Sequence, residues 1–291
     1  MEKLAYVIRE VAPRTWAVDE FSMNYMYILE GASRALVIDT GTGTGDFRAK
    51  VESLTSLPYD VVCTHGHVDH CGGIGQFPTI HLHPDCVPDV IREDGTISVF
   101  NRRRYSARGL ALNDPARLPF TLDTFTPIDT SAIRFVDTRE GDVFDLGGRM
   151  LEVIEHHGHA KGCICLYDRE NGLLFSGDNF GKILILPLDM PHKDRAAMWL
   201  EGARKIEALL PGIQMIFTGH HCPLDPQILR DQLTLARGII AGTQAEKHMA
   251  VEEYIGMLYQ HGGAYFTLRE ENLKTRDYTR ICNQPPENSG K

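Results

Sequence analysis

The feature that most constrains the fold of this chain is an apolar stretch that runs directly into a cluster of metal-binding side chains. Residues 59–64, YDVVCT, have the character of a buried strand, and residues 65–70, HGHVDH, hold three histidines and an aspartate. A strand this apolar must pack inside a sheet, so it would deliver the polar cluster at a sheet edge. The alternative interpretation is a solvated loop that is rich in histidine.

Three other apolar stretches end in side chains that would complete a metal site, and this favours the first interpretation. In each case a polar ligand type follows directly after a predicted strand, and a buried carboxylate is costly there unless it is paired or bound to metal. These side chains are His159, with His156 and His157 as alternatives, Asp178 in LLFSGDN, and His220 or His221 in IFTGHHCP.

The spacing within the cluster predicts two neighbouring ligand sets. His65 and His67 are two positions apart, so both side chains point to the same side of an extended strand end and can bind one ion. Asp69 and His70 follow where the chain turns, and they can reach a second position a few ångströms away.

These motifs resemble those of the metallo-β-lactamase superfamily, whose hallmark is T-H-x-H-x-D-H-x-G-G. Residues 64–73 match that pattern at every fixed position, and HHGHAKG, SGD and TGHH resemble the later motifs in the same order. The upstream ALVIDTG resembles the family's strand ending in Asp-Thr-Gly. The similarity spans roughly residues 15–225. It implies an α+β protein, a four-layer αββα sandwich forming a single domain over residues 1–291, with a dinuclear site between the sheets.

The resemblance also implies the role of each ligand. One ion would be held by His65, His67 and His159, the other by Asp69, His70 and His220, and Asp178 would bridge them. His220 is preferred over His221, and His159 over His157, by position in the family motifs. Asp69 would also be catalytic, because it would orient a hydroxide that bridges the ions.

Asp39, in ALVIDTG, has two interpretations. In one, its carboxylate is hydrogen-bonded near the histidine loop and fixes the tautomers of those rings. In the other, it only caps a turn.

The ligand types indicate two divalent metal ions as the cofactor. Imidazole and carboxylate suit Zn²⁺ well, with iron or manganese as alternatives. Two cations lower the pKa of a shared water toward neutrality, which creates a nucleophile, and they stabilise a developing oxyanion. The sequence therefore predicts a metal-dependent hydrolase.

Departures from the patterns of individual subfamilies narrow the substrate. Secreted zinc β-lactamases lack the bridging aspartate, which is present here as Asp178. The iron-dependent oxygen reductases of this fold typically have glutamate where this chain has His67. The metal ligands resemble those of glyoxalase II, but its basic glutathione-binding set cannot be placed. We expect a small-molecule ester, thioester or lactone as substrate. One alternative is hydrolysis of a phosphodiester, and another is an iron enzyme of this fold that acts on oxygen or a persulfide. The complete ligand set disfavours a binding module without activity.

Composition excludes several other classes of protein. The 291 residues carry a formal net charge of −9, which disfavours nucleic-acid binding. The first residues lack the apolar core of a secretory signal, and no run of 18 apolar residues predicts a membrane span. Seven cysteines without such a signal indicate reduced thiols in the cytoplasm. Cys71 and Cys222 flank ligand motifs and are interpreted as packing residues.

The order of predicted elements is strands and helices, an insertion, then strands and helices again. This order suggests two similar halves whose sheets pack face to face with helices outside. The insertion, around residues 95–125, is predicted to contain a helix. Other helices are predicted at residues 45–57, 85–93 (DCVPDVIRE), 193–212, 226–242 and about 244–260, a hairpin at 163–179, and a strand or short hairpin from residue 264 on.

Two segments have interpretations that the sequence leaves open. The insertion carries FNRRRYSARG, whose basic side chains could clamp an anion or could form a solvated face or a homo-oligomer contact. They are Arg102, Arg103, Arg104, Tyr105 and Arg108. After Asp178, the segment KILIL supplies Ile183, Ile185 and Leu186, which could line an apolar substrate pocket or belong to the core.

Overall fold

The computed structural model describes residues 2–186, 191–251 and 254–267. In chain order the strands are β1 (Val7–Ala12), β2 (Thr15–Asp19), β3 (Tyr25–Glu30), β4 (Ala35–Ile38), β5 (Tyr59–Val62), β6 (Thr79–Leu82), β7 (Thr96–Ile97), β8 (Ile128–Asp129), β9 (Arg134–Asp137), β10 (Val143–Asp145), β11 (Met150–Glu155), β12 (Ile164–Asp168), β13 (Leu173–Gly177), β14 (Ile183–Ile185), β15 (Met215–Thr218), β16 (Lys247–Val251), β17 (Tyr254–His261) and β18 (Ala264–Thr267). The helices are α1 (Phe47–Leu54), α2 (Val68–Cys71), α3 (Val87–Val90), α4 (Val99–Leu112), α5 (His192–Leu209) and α6 (Gln227–Ala241).

Two large sheets form the centre of the molecule. The first has the order β1-β2-β3-β4-β5-β6-β9, antiparallel from β1 to β4 and parallel from β4 to β9. The second has the order β10-β11-β12-β13-β15, in which only the β13–β15 pair is parallel. Parallel neighbours bring their carboxyl ends to one edge, which is where the polar motifs follow β5, β13 and β15.

The period-2 alternation of buried residues shows how the sheets pack. In β4, Leu36 and Ile38 face the second sheet and join a core cluster with Leu151 and Phe175, whereas Val37 belongs to a different cluster on the opposite face. Because both faces of these strands are buried, the sequence reads as a continuous apolar run.

Helices cover the two outer faces. Phe47 and Val51 of α1 pack in one cluster with Val37, and Trp199 of α5 and Leu233 of α6 pack in another with residues of the second sheet. The predicted four-layer αββα arrangement is therefore confirmed. The hairpin of β12 and β13 and the helix in the insertion, α4, are confirmed as well.

The predicted helix at 244–260 is wrong. Residues 247–251 and 254–261 are strands β16 and β17, paired antiparallel with Lys247 opposite Leu258, while residues 252 and 253 lie outside the described range. The segment contains Gly256, which disfavours a helix by about 1 kcal/mol relative to alanine. β17 also pairs with β18, and β18 with β14, so a four-stranded sheet takes up the backbone hydrogen bonds.

Two smaller differences concern the lengths of elements. Helix α3 is a single turn preceded by a 3₁₀ turn, and is thus shorter than the segment DCVPDVIRE suggests. β18 is the strand predicted from residue 264 on, and the remainder of that prediction, residues 268–277, lies outside the described residues. In the part of the chain that the structure covers, no helix is both long enough and apolar enough to cross a bilayer.

Candidate metal centre

The seven side chains implied as ligands lie together at one edge of the two sheets. Their backbones come from the turn after β5, the loop after β11 and the ends of β13 and β15. Since β13 and β15 are parallel neighbours, Asp178 and His220 emerge side by side. Both sets of ligand atoms, defined below, have all members within 4.8 Å of one another.

The first set contains His65, His67, His159 and Asp178. His159 Nε2 lies 2.9 Å from His67 Nδ1 and 3.6 Å from Asp178 Oδ2. His65 Nε2 is 4.0 Å from the same carboxylate oxygen. Three ring nitrogens and one carboxylate oxygen thus converge on one position.

The second set contains Asp69, His70 and His220. Asp69 Oδ2 lies 3.3 Å from His220 Nε2 and 3.8 Å from His70 Nε2. Asp178 reaches this set too, with Oδ1 at 3.4 Å from His70 Nε2 and Oδ2 at 3.2 Å from His220 Nε2. Asp178 therefore lies between the two sets.

Several of the converging atoms have unmet hydrogen-bonding capacity. His65 Nε2, His70 Nε2 and Asp69 Oδ1 are buried and make no hydrogen bond within the described ranges. Each such atom costs about 1–3 kcal/mol in a folded protein. A divalent cation at each set would satisfy the two imidazole nitrogens, and a set of imidazole nitrogens and carboxylate oxygens suits a borderline transition metal such as zinc. The residues present fit two metal ions.

Acceptors behind the rings fix the tautomers of three histidines. The Nδ1 atoms lie 2.9 Å from Asp39 Oδ2 for His70, 2.7 Å from the Ile185 carbonyl for His159, and 2.9 Å from the Met23 carbonyl for His220. These oxygens can only accept, so each Nδ1 carries a proton, and each Nε2 is the atom that faces the site and can bind a metal ion once it is deprotonated.

Asp39 extends this control to a second ring of the same loop. Its carboxylate accepts hydrogen bonds from the Thr64 amide at 2.7 Å and the Thr64 hydroxyl at 3.0 Å. With its proton donated to Asp39, the Thr64 oxygen is the acceptor for His65 Nδ1 at 3.1 Å. Asp39 adopts a left-handed backbone conformation, φ 62°, so the turn and the hydrogen bonding occur together.

The electrostatics of the site follow from burial and from these contacts. Burial and the adjacent His159 lower the pKa of His67 to about 4, which keeps its lone pair available at neutral pH. Burial alone would raise the pKa of Asp69, but His70 and His220 lower it to about 2. Burial opposes a charge on His220, yet Asp178 and Asp69 raise its pKa to about 9. Asp69 and Asp178 thus favour a protonated His220 at neutral pH, and a divalent cation could take the place of that proton.

Residues outside the ligand motifs also contact the site. The Asn24 amide donates to the Asp69 carbonyl at 2.5 Å, and Arg108 Nη1 donates to the Met23 carbonyl at 3.1 Å. Met23 and Ile185 act through backbone carbonyls, which no side-chain pattern marks. Asn24 lies in an unremarkable turn, so no sequence signal pointed to it.

The competing histidines lie elsewhere. His157 Nε2 is 3.4 Å from Glu155, on the outer side of the loop, and His156 is buried against Phe180 and Trp199. The His221 amide donates to the Thr218 hydroxyl at 2.8 Å, and the His221 ring belongs to neither ligand set.

The family model for the metallo-β-lactamase superfamily matches residues 19–220, which include every side chain of both sets. The chain belongs to the metallo-β-lactamase superfamily.

The proteins to which this chain is similar include thioesterases. The chain is 30% identical over 164 residues to the acyl-coenzyme A thioesterase MBLAC2 of Gallus gallus, a match that covers 53% of this chain and 56% of that protein. It is 26% identical over 157 residues to the atrochrysone carboxyl ACP thioesterase nsrC of Aspergillus novofumigatus, covering 53% of this chain and 37% of that protein. The chain thus spans about half of the length of the first relative and less of the second.

Solved structures share the fold. The sec-alkylsulfatase Pisa1 from Pseudomonas sp. superposes with a TM-score of 0.58 at 18% identity, covering 81% of this chain and 42% of that one. At this identity the likeness concerns the fold alone.

The other side chains that the sequence singled out are mostly buried. Cys71 is buried and Cys222 partly so, and burial raises the pKa of the Cys222 thiol to about 11, in line with packing roles. Ile183 and Leu186 are buried in apolar clusters. Arg102 is buried and donates to three backbone carbonyls, so it is not part of an exposed anion clamp.

Proposed function

We propose that this protein is a metal-dependent hydrolase that cleaves thioesters of small molecules. The observation that carries the proposal is the pair of converging ligand sets that share Asp178, with buried ligand atoms left without a hydrogen-bond partner in the described residues. The names of the relatives support a thioester among the ester, thioester and lactone substrates expected from the sequence.

In this proposal the cofactor is two divalent ions, foremost Zn²⁺. His65, His67 and His159 would hold one ion, Asp69, His70 and His220 the other, and Asp178 would contact both. The bound ions would supply Lewis acidity that polarises the thioester carbonyl and lowers the pKa of water toward neutrality.

Asp69 would orient the attacking water. Its Oδ1 is buried without a hydrogen-bond partner in the described part of the chain, and the carboxyl is ionised at neutral pH because its pKa is about 2. So weak a base accepts a hydrogen bond from water without removing its proton. Asp39 would keep the rings of His70 and, through Thr64, His65 in the tautomers that present Nε2 to the ions.

The chemistry of the leaving group is consistent with a thioester. A thiol has a pKa of about 8.5, so it departs as a thiolate without a strong general acid. An alkoxide from a simple oxygen ester would require more help with protonation. The free thiols of the six cysteines that the structure describes fit a reducing compartment, and we place the enzyme in the cytoplasm.

The proposal is tested by counting metal ions and measuring thioester hydrolysis in one preparation. Protein stripped of metal and reloaded with Zn²⁺ is analysed for elements, and the released thiol is followed with acyl-pantetheine thioesters beside matched oxygen esters, lactones and a phosphodiester. We expect about two zinc ions per chain and a preference for the thioesters.

Asp178→Ala provides the matched variant, with Glu201→Ala on the exposed face of α5 as control. We expect Asp178→Ala to lose zinc and at least about 100-fold in kcat/KM with an unchanged circular dichroism spectrum, and the control to behave as wild type. Fewer than one metal ion per chain after reloading would contradict the proposal. Two iron ions without hydrolysis would point to redox chemistry instead.

A further inference from the structure

We propose that helix α4 of the insertion binds the phosphate of the substrate's carrier arm through Arg104, with Arg108 extending the positive charge to the metal centre. This inference rests on the proposed thioesterase function and names the chemistry that the enzyme recognises at the end of the substrate remote from the sulfur. The expected ligand is a pantetheine arm that carries a phosphate.

Helix α4 has a buried side and an opposite, accessible side. Its buried residues include Arg102, Ser106 and Gly109, spaced four and three apart as on one helical face. Arg104 is two positions from Arg102, so it projects from the opposite side, and its side chain is exposed. Arg108 is four positions after Arg104 and therefore lies next to it along the helix surface.

Arg108 brings this side of α4 to the edge of the metal centre. Its Nη1 lies 3.2 Å from His220 Nδ1 and donates to the Met23 carbonyl at 3.1 Å. His220 Nδ1 donates to the same carbonyl at 2.9 Å. Arg108 and the His220 ring thus donate to the same carbonyl oxygen, and the guanidinium lies beside His220 without contacting its Nε2. A substrate whose acyl carbon is at the metal centre passes this cation.

Arg104 continues the positive charge away from the centre. Four residues of helix correspond to about 6 Å along the axis. The Arg104 guanidinium carbon lies 6.0 Å from the ring centroid of Tyr105, an aromatic face on the same helix. The two arginines thus form a short basic path that begins at the metal centre.

The distribution of charge sets this helix apart from the rest of the chain. The protein has a net charge of −9, yet residues 99–112 contain four arginines and no acidic residue. Arg102 is buried and donates to the carbonyls of Thr42, Gly43 and Thr126, whereas Arg104 is exposed. A basic path on an acidic protein attracts an anionic substrate end and selects against neutral thioesters.

Guanidinium groups are suited to this ligand. They bind phosphate oxygens through two parallel hydrogen bonds, and these charge-assisted bonds are the strongest available at an accessible site. Coenzyme A and acyl carrier proteins both present their thioester on a phosphorylated pantetheine arm, so the inference concerns the chemistry that they share.

The test compares one acyl group on three carriers: pantetheine, 4′-phosphopantetheine and coenzyme A. We expect kcat/KM to be about tenfold higher with the phosphate than without it, and the difference to shrink as salt is added. In Arg104→Gln the preference should fall to about twofold or less while hydrolysis of acyl-pantetheine is unchanged. Arg103→Gln, one residue away and turned toward Asp123, should keep the wild-type preference.

A binding measurement supplies a second readout that does not involve catalysis. Desulfo-coenzyme A, which has no thiol to bind metal, is titrated by calorimetry, and Arg104→Gln should weaken its binding about five- to tenfold. A further gain for coenzyme A over phosphopantetheine that survives in Arg104→Gln would assign nucleotide recognition to another surface. Equal hydrolysis of the phosphorylated and unphosphorylated thioesters would overturn the inference and leave the proposed function standing. Hydrolysis of none of the three would overturn both.

Discussion

The buried side chain of His156, three residues before His159, should make the free energy of unfolding depend on pH by an amount that can be calculated. The ring of His156 is completely buried, with its centroid 4.9 Å from that of Phe180 and 5.7 Å from that of Trp199. Neither ring nitrogen has a hydrogen-bond partner in the described residues. Cβ atoms added at Gly158 or Gly202 would lie within 3.2 Å of the ring, so the backbone encloses it closely.

Burial lowers the pKa of His156 from its usual 6.5 to about 3. The folded ring therefore stays neutral as the pH falls below 6.5, whereas the same ring in the unfolded chain becomes protonated. The unfolded state binds more protons between these two values, so stability falls with decreasing pH across this window. At one and a half units below 6.5 the loss is about 2 kcal/mol, from 1.36 kcal/mol per pKa unit.

The experiment compares the free energy of unfolding at pH 7 and at pH 5, in wild type and in His156→Leu. Urea denaturation of the metal-free proteins measures the free energy of unfolding, and the ligand histidines contribute equally to both. We expect wild type to lose about 2 kcal/mol more than His156→Leu between the two pH values. His248→Gln, at an exposed position on β16, should follow wild type. Equal losses in wild type and His156→Leu would refute the reasoning, because the folded ring would then accept a proton.

Two further substitutions test the site and the core. A Cβ at Gly219 would lie 2.2 Å from Cε1 of His70, so Gly219→Ala should lower zinc content and reduce kcat/KM about 100-fold. Gly181→Ala, whose Cβ would meet no atom of the described residues nearer than 3.5 Å, should retain both in elemental analysis and assay. Arg149→Met would leave Asp168, its partner at 2.7 Å, charged and buried, and urea denaturation should show a loss of about 3–5 kcal/mol. Arg169→Met at an exposed ion pair should cost less than about 1 kcal/mol. Unchanged stability in Arg149→Met would contradict this and mean that the hydrogen bonds from Asn171 suffice to hold the Asp168 carboxylate.

The sequence indicated which side chains converge because each follows an apolar strand. A strand such as β13 has to be buried, and its direction then determines where Asp178 emerges. The same reasoning failed at residues 244–260, which were predicted as a helix and form strands. There β17 pairs with β18, the next strand along the chain, and β18 pairs with β14, a strand about 80 residues earlier that leaves no local signal.

The control of the histidine tautomers could be predicted only in part. Asp39 and Thr64 carry side chains whose chemistry suggests a hydrogen bond to an imidazole. The carbonyls of Met23 and Ile185 perform the same task for His220 and His159, but every residue has a carbonyl, so only the three-dimensional path of the chain shows which ones face a ring.

The insertion shows the same limit for recognition of the substrate. Its four arginines look equivalent in FNRRRYSARG, yet Arg102 is buried because the carbonyls of residues 42, 43 and 126 surround its guanidinium. A charged side chain on the inner face of a helix contradicts the usual polar-outward pattern, and the acceptors that make it stable lie 24 to 60 residues away in the chain. Once Arg102 is assigned to the interior, the helical period places Arg104 on the outer face and Arg108 beside it at the metal centre. In the proposed recognition of the carrier arm, selectivity depends on an element outside the ligand motifs, which is why those motifs alone identify the reaction more closely than the substrate.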